Sequence, residues 1–205
     1  DAVDTTWGQL LTCGGEICDA RYSKCCGGRT ELFSTCWEDE DPPYLQSVPD
    51  PYCGVAGPEI LSRVLQDYDL ATEDYYRWTV RLTRGELSEL AARRTGTGFG
   101  VIKALEPVER GPSGRIKYLR ITGSEKTEVI GKELAIRYAL SESHLKSSAF
   151  EVEWDGDVCV LHGCGWGHGV GLCQIGAAVM ASKGFDCAAI LAHYYPGSQI
   201  SGSHE

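Results

Sequence analysis

Residues 162–200 read HGCGWGHGVGLCQIGAAVMASKGFDCAAILAHYYPGSQI, with glycine at every second position from Gly163 to Gly171. A turn needs one or two glycines, whereas an alternating run means that something comes close to the backbone along its length. In an extended conformation His162, Cys164, Trp166, His168, Val170 and Leu172 share one face and the glycines line the other. The pattern then becomes helical. Ile175, Val179 and Met180 recur among Ala177, Ala178 and Ala181, and Gly184 suits the position past a helix end. Asp186 is a good N-cap for CAAILAHYY, which Pro196 stops. Dinucleotide-binding loops space their glycines as G-x-G-x-x-G, a spacing absent between Gly163 and Gly176. His162, Cys164 and His168 are donors of the zinc-binding type, but no further ligand stands at an ordinary spacing from them.

Upstream, TTWGQLLTCGGEICDARYSKCCGGRT predicts two short strands around Gly14-Gly15, the second ending at Gly27-Gly28. Acidic residues, prolines and tyrosines from Glu38 to Pro58 predict an exposed irregular connection. Pro58 opens a helix in which Ile60, Leu61, Val64, Leu65 and Tyr68 recur at helical spacing, and RGELSELAARR predicts another. Val101, Ile102, Leu105, Val108, Ile116, Leu119 and Ile121 fall on strands separated by the turn GPSG at Gly111 to Gly114. Ile130 to Leu140 predicts helix, and Phe150, Val152 and Trp154 alternate as a strand before the Asp155-Gly156 turn. Strands and short helices follow each other irregularly, which is an α+β arrangement with mixed strands.

The 205 residues are 42% hydrophobic and 23% charged, an ordinary globular composition, and no apolar run approaches the ~18 residues of a membrane span. A net charge of -10 leaves no basic stripe for phosphate backbones, so nucleic acid is not an expected partner. The sequence begins at Asp1 and its lone methionine is Met180, which predicts further polypeptide upstream. Ten cysteines fit an oxidising compartment, metal binding or small buried hydrophobes. Cys173 and Cys187 would stand ~20 Å apart at opposite ends of one helix, too far for the ~7 Å that a disulfide allows.

GWGHGVGLCQIGAAVMASKG followed by ILAHYYPGSQI resembles the carboxyl-terminal signature of the SpoIID and LytB proteins, the sporulation stage II protein D and amidase-enhancer group. ARYSKCCGGRTE is similar to that family's Y-x-S-x-S-G-G-x-T-E stretch. CWEDEDPPYLQSV, SGRIKYLRI and IRYAL…LKSSAFEVE also fit, so the resemblance spans nearly the whole chain. It implies a SpoIID-like domain over residues 1–205, incomplete at its N-terminus, with 1–57 plus 141–205 as a core and 58–140 as an inserted α+β subdomain.

The resemblance further implies cleavage of peptidoglycan glycan strands in the cell envelope, or in an extracellular or periplasmic space. In a lytic transglycosylase a carboxylic acid protonates the glycosidic oxygen and the muramic acid 6-hydroxyl attacks the anomeric carbon, leaving a 1,6-anhydro end. The alternative is a non-catalytic peptidoglycan-binding module, or one that stimulates a cell-wall amidase. The family's acid lies in a helical stretch resembling E-x-P…EALKAQAVAARTY, which no part of this sequence matches; the acid is therefore expected upstream, with Glu31 the local candidate. Substrate-binding candidates are Tyr22, Ser23, Gly27, Gly28, Thr30, His168, Gln174, Tyr194 and Tyr195. No cofactor is expected. Some clostridial-type members bind zinc through Cys and His, which makes Cys18, Cys25, Cys26 and Cys36 the metal alternative here. Disulfides among Cys13, Cys18, Cys25, Cys26, Cys36 and Cys53 are the expectation for an envelope protein.

Overall fold

The computed structural model describes residues 2–65 and 75–202. After a single turn, α1 (Ala2–Thr5), the strands β1 (Leu10–Cys13) and β2 (Glu16–Ile17) pair around Gly14-Gly15 as their glycines require. The second strand does not run on to Gly27-Gly28: β2 stops at Ile17, and a separate β3 covers Tyr22–Ser23. A short helix α2 (Phe33–Cys36), a 3-10 turn at Cys53–Val55 and α3 (Pro58–Val64) follow, with Pro58 in the first turn of α3. Tyr68, expected on this helix, lies outside the described residues. The connection before α3 is irregular, but it is more than a solvated loop, because Leu45, Asp50 and Cys53 are buried within it.

The strand β4 (Arg77–Thr83) passes directly into α4 (Arg84–Thr95). The junction is a capping box in which Thr83 and Glu86 satisfy each other's backbone amides, and left-handed Gly96 ends the helix. A hairpin of β5 (Ile102–Arg110) and β6 (Ile116–Gly123) closes over the GPSG turn and takes β7 (Thr127–Gly131) as its third strand. The helix expected from Ile130 begins later, since Ile130 pairs with Leu119 inside β7 and α5 covers Glu133–Ala139.

The strands β8 (Phe150–Asp155) and β9 (Val158–Cys164) form a hairpin at Asp155-Gly156, and β9 lies between β8 and β4. The chain ends with β10 (Leu172–Cys173), α6 (Gln174–Ser182), α7 (Cys187–Tyr194) and β11 (Gln199–Ser201), the last paired with β1. Asp186 caps α7 by accepting from the Ala189 amide, as expected. The class is α+β.

Two apolar clusters hold these elements. One gathers Leu87, Phe99, Ile102, Leu119, Ile121, Ile136, Phe150 and Leu161 from the β4-β9-β8 and β5-β6-β7 sheets and their helices. The other gathers Cys25, Cys26, Leu45, Cys53, Val170, Cys173, Ile175, Tyr194 and Tyr195 around the end of the glycine run. They meet at Trp78, a member of the first cluster, whose indole N–H donates to the Gly165 carbonyl at 3.0 Å.

Candidate functional site at the glycine turn

Beyond Cys164 the glycine run is not extended. Gly165, Gly167, Gly169 and Gly171 have φ of 74°, 97°, 78° and 69°, left-handed values that side chains rarely adopt, so the backbone winds into a compact turn. The single face of alternating side chains does not form. What approaches the glycines is the protein itself. A methyl group on Gly169 would stand 2.5 Å from the Arg115 guanidinium carbon, and one on Gly171 would strike the Arg21 carbonyl oxygen.

Arg115 is fully buried and organises the turn. Its Nε and Nη2 donate to the Gly167 carbonyl at 3.1 and 2.9 Å, and its Nη1 donates to the Cys26 carbonyl at 3.0 Å and to Ser113 Oγ at 2.9 Å. The other wall of the turn is β3, which pairs in parallel with β10 through Tyr22↔Leu172 and Ser23↔Cys173. Bridges at Cys25↔Trp166 and Glu31↔Val170 continue this seam.

The candidate residues take distinct places on this scaffold. His168 Nδ1 accepts from the Val170 amide at 3.0 Å, and its ring meets the edge of Trp37 with centroids 4.9 Å apart. Burial, helped by the positive charge of Arg115, pulls its pKa down to about 4, so the imidazole is neutral. Glu31 is sealed from solvent. Its Oε1 accepts from the Leu32 amide at 2.8 Å and Thr35 Oγ1 at 3.2 Å, and its Oε2 accepts from the Ser113 amide and hydroxyl. Burial raises its pKa against the opposing pull of those donors and of Arg115. The carboxyl group thus anchors the GPSG turn beside Arg115.

Tyr194 and Tyr195 are core residues, 0% and 2% exposed, and present no ring face to a sugar. The Tyr194 hydroxyl donates to Asp50 Oδ2 at 3.0 Å and that of Tyr195 to the Arg21 carbonyl at 2.7 Å. Burial pushes the pKa of Tyr195 up to about 12. Thr30 is likewise buried, donating to the Gln46 carbonyl and accepting from the Val48 amide. Gln174 opens α6 and donates to the Val64 carbonyl at 2.8 Å, tying α6 to α3. Gly27 packs against the backbone of Gly165, and Gly28 faces the Tyr76 hydroxyl. Ser23 is buried under Gly167 with its hydroxyl unpartnered among the described residues, and Tyr22 is 67% exposed. Tyr22, Ser23, Gly27 and His168 therefore share the turn, while Thr30, Glu31, Tyr194 and Tyr195 lie beneath it.

An aromatic and cationic surface surrounds the turn. The Arg21 guanidinium lies 4.4 Å from the Trp37 ring and 5.7 Å from Phe33. Lys24 Nζ stands 3.9 Å from the Trp166 ring and Lys146 Nζ 5.4 Å from it. An open cleft of about 630 Å3 adjoins it, lined among others by Arg77, Arg110, Ser113, His162 and Cys164. Sequence reasoning did not single out Arg21, Trp37 or Arg115. Trp37 had a signal in the CWEDEDPPYLQSV stretch, while Arg115 reads there only as the first polar residue of a strand.

Residues 31–171 match the profile of a family described as a domain of unknown function, DUF8618. The chain belongs to the DUF8618 family. It is also homologous to the stage II sporulation protein D and amidase-enhancer group. Over 203 residues it is 28% identical to the stage II sporulation protein D of Bacillus subtilis, covering 98% of this chain and 50% of that protein. It is 25% identical to the amidase enhancer of the same organism, covering 98% of this chain and 32% of that protein. The stage II sporulation protein D of Bacillus amyloliquefaciens is 28% identical, at 98% and 50% coverage. The chain thus spans at most half the length of these curated relatives. The DUF8618 range holds Glu31, Arg115 and the glycine turn, while β3 and α6 lie outside it.

The cysteines of this DUF8618 chain depart from both expectations. All ten are free thiols, so the disulfides expected of an envelope protein are not formed. The set Cys18, Cys25, Cys26 and Cys36 is not assembled either. Cys18 stands near Cys13 by the β1-β2 hairpin, and Cys36, although it packs in the same apolar cluster as Cys25 and Cys26, turns its thiol to the His168 carbonyl at 3.6 Å. Cys26 finds Cys53 and Cys173 instead.

Proposed function

We propose that this chain acts on peptidoglycan glycan strands, as the strand-binding part of a lytic transglycosylase of the SpoIID type that leaves 1,6-anhydro-muramic acid ends. The names of the curated relatives support a cell-wall role. The observation that carries the reading is the surface around the glycine turn. Tyr22 is exposed, Trp37 and Trp166 are half-buried, and Arg21 and Lys24 lie over the two indole rings with Lys146 near the second, a mixed aromatic and cationic surface suited to pyranose rings and to the lactyl and peptide carboxylates of the polymer.

The reaction needs one carboxyl group. It protonates the glycosidic oxygen as the bond to the anomeric carbon breaks, then takes the proton of the muramic acid 6-hydroxyl as that oxygen closes the anhydro ring, so no water is consumed. Sealed by its donors, Glu31 serves the reading as the residue that positions the turn, and the general acid is assigned to polypeptide outside these 205 residues. The work takes place in the cell envelope or outside the cell.

Full-length gene product incubated with purified sacculi should release anhydro-muropeptides detectable by mass spectrometry, and their absence would remove the catalytic part of the reading. The 205-residue chain alone should sediment with sacculi, with Trp37→Ala and Trp166→Ala each weakening binding by about tenfold, the worth of one aromatic stacking contact. The inaccessibility of Glu31 favours one second reading, a binding module that stimulates a cell-wall amidase. Binding without cleavage, together with faster amidase turnover when the chain is added, would select it.

A further inference from the structure

The second apolar cluster contains a group of polar atoms that the glycan reading does not use. Cys26, Asp50, Cys53 and Cys173 are all buried, and their sulfurs and one carboxylate oxygen lie within 4.8 Å of one another. Cys26 Sγ stands 3.6 Å from Cys53 Sγ and 3.1 Å from Asp50 Oδ2. A tetrahedral zinc with bonds of about 2.3 Å to sulfur and 2.0 Å to oxygen needs sulfurs about 3.8 Å apart, a spacing this group approaches before any metal draws it in. A Cys26–Cys53 disulfide would need its sulfurs at about 2.05 Å.

The surroundings are built for anionic ligands. Cys173 Sγ accepts from the Cys26 amide at 3.2 Å and, as the N-cap of α6, from the Gly176 amide at 3.5 Å. Asp50 Oδ1 accepts from the amides of Tyr52 and Cys53 at 2.9 and 3.1 Å, which turns Oδ2 toward the sulfurs, where the Tyr194 hydroxyl orients it at 3.0 Å. Such donors to ligand atoms are what fix and tune a metal site. The approach is tight enough that a side chain on Gly176 would strike both the Tyr194 hydroxyl and Asp50 Oδ2.

We propose that Cys26, Asp50, Cys53 and Cys173 form a closed structural zinc site. Three soft thiolates and one carboxylate select a borderline divalent cation over magnesium or calcium. Four protein ligands leave no open position for a bound water, so the ion ties chain segments together and takes no part in chemistry. The segments are the stretch just past β3, the connection before α3 and the junction between the glycine turn and α6. They are separated by 27 residues for Cys26 and Cys53, and by 147 for Cys26 and Cys173. The proposal stands apart from the glycan reading, because metal content is measured without substrate.

The full chain, purified under reducing conditions without chelator, should contain about one zinc per molecule by inductively coupled plasma mass spectrometry, falling below about 0.1 in Cys53→Ala and Cys173→Ala. Cys187→Ala, at an exposed position, should keep the wild-type content. A ligand variant that loses its fold would lose metal as well, so the wild-type chain supplies a second arm. Stripped with chelator and given Co2+, it should show thiolate-to-cobalt charge transfer in the near ultraviolet and the intense visible bands of a tetrahedral site. Zinc retained by both ligand variants, weak octahedral cobalt bands, or a metal-free chain lighter by two hydrogens through a Cys26–Cys53 disulfide would each overturn the proposal.

Discussion

A guanidinium with no solvent exposure must find acceptors inside the protein, and Arg115 finds them in the carbonyls of Gly167 and Cys26 and in Ser113 Oγ. Arg115→Met keeps much of the volume but strands those carbonyls, each costing about 1–3 kcal/mol when buried unpaired, and urea unfolding should show a loss of at least about 3 kcal/mol. Gly169→Ala should cost about 1–3 kcal/mol through its left-handed backbone alone. The contact with Arg115 adds to that cost, so the double variant Gly169→Ala/Arg115→Met should lose less than the sum of the two. His168 gives a pH signature. Its folded pKa of about 4 lies below the ordinary value of 6.5, so the unfolded chain binds the proton more readily. Its contribution is fully present above about pH 6.5 and is lost as pH falls toward about 4, by up to about 3 kcal/mol. Glu31, with its pKa raised, acts in the opposite sense. The unfolding free energy of wild type minus that of His168→Gln, measured from pH 4 to 8, therefore isolates the histidine, and a flat difference would refute the assignment. At this scale the sequence told half the story. Alternating glycines announced a close approach, but Arg115 lies 52 residues from Gly167 and carries no local mark of its role. The HYYPG tyrosines looked like sugar platforms because composition cannot say which way a ring points.

Elements with chemical punctuation were legible. Gly14-Gly15, Pro58, the GPSG turn, Asp155-Gly156, Asp186 and Pro196 each fix backbone geometry locally, and the structure turns, starts or stops at all of them. The Thr83 and Glu86 capping box belongs to the same class, and Thr83→Ala should lower stability by about 1 kcal/mol in thermal unfolding while leaving the far-ultraviolet spectrum of the folded state unchanged. The misplaced boundaries have a common cause. Ile130 satisfies helix and strand spacing alike, and its pairing with Leu119 decides between them. β3 and β10 are two residues each, too short for any periodicity, and exist because they find one another. The acidic connection before α3 averages to a solvated loop, although its three buried residues, Leu45, Asp50 and Cys53, carry the packing.

The two apolar clusters are fastened by polar side chains that cross between them. Arg115 leaves the first residue before β6 to grip the glycine turn, Trp78 donates to Gly165, and Lys132 donates to the carbonyls of Ser34 and Trp37 and pairs with Asp39 at 2.9 Å. Such coupling predicts one cooperative transition. Near- and far-ultraviolet circular dichroism should give coincident midpoints in urea, and two resolved steps would show that the clusters unfold separately. The α+β class was legible from the irregular order of strands and helices. The side chains that bridge the two clusters were not, because they depend on contacts between residues far apart in the chain.

The seam between β3 and β10 also sets a timetable for biosynthesis. Tyr22 leaves the ribosome long before Leu172, its partner in the parallel pair, has been translated. Until then Cys25, Cys26, Leu45 and Cys53 have no lid, because Val170, Cys173, Ile175 and Tyr194, which pack against them, are translated much later. The first cluster, complete by Leu161, can close while the earlier segment waits. A nascent chain stalled short of Cys173 would therefore show a finished centre with an open, thiol-rich flank, where a holdase chaperone or a thiol reagent would find it.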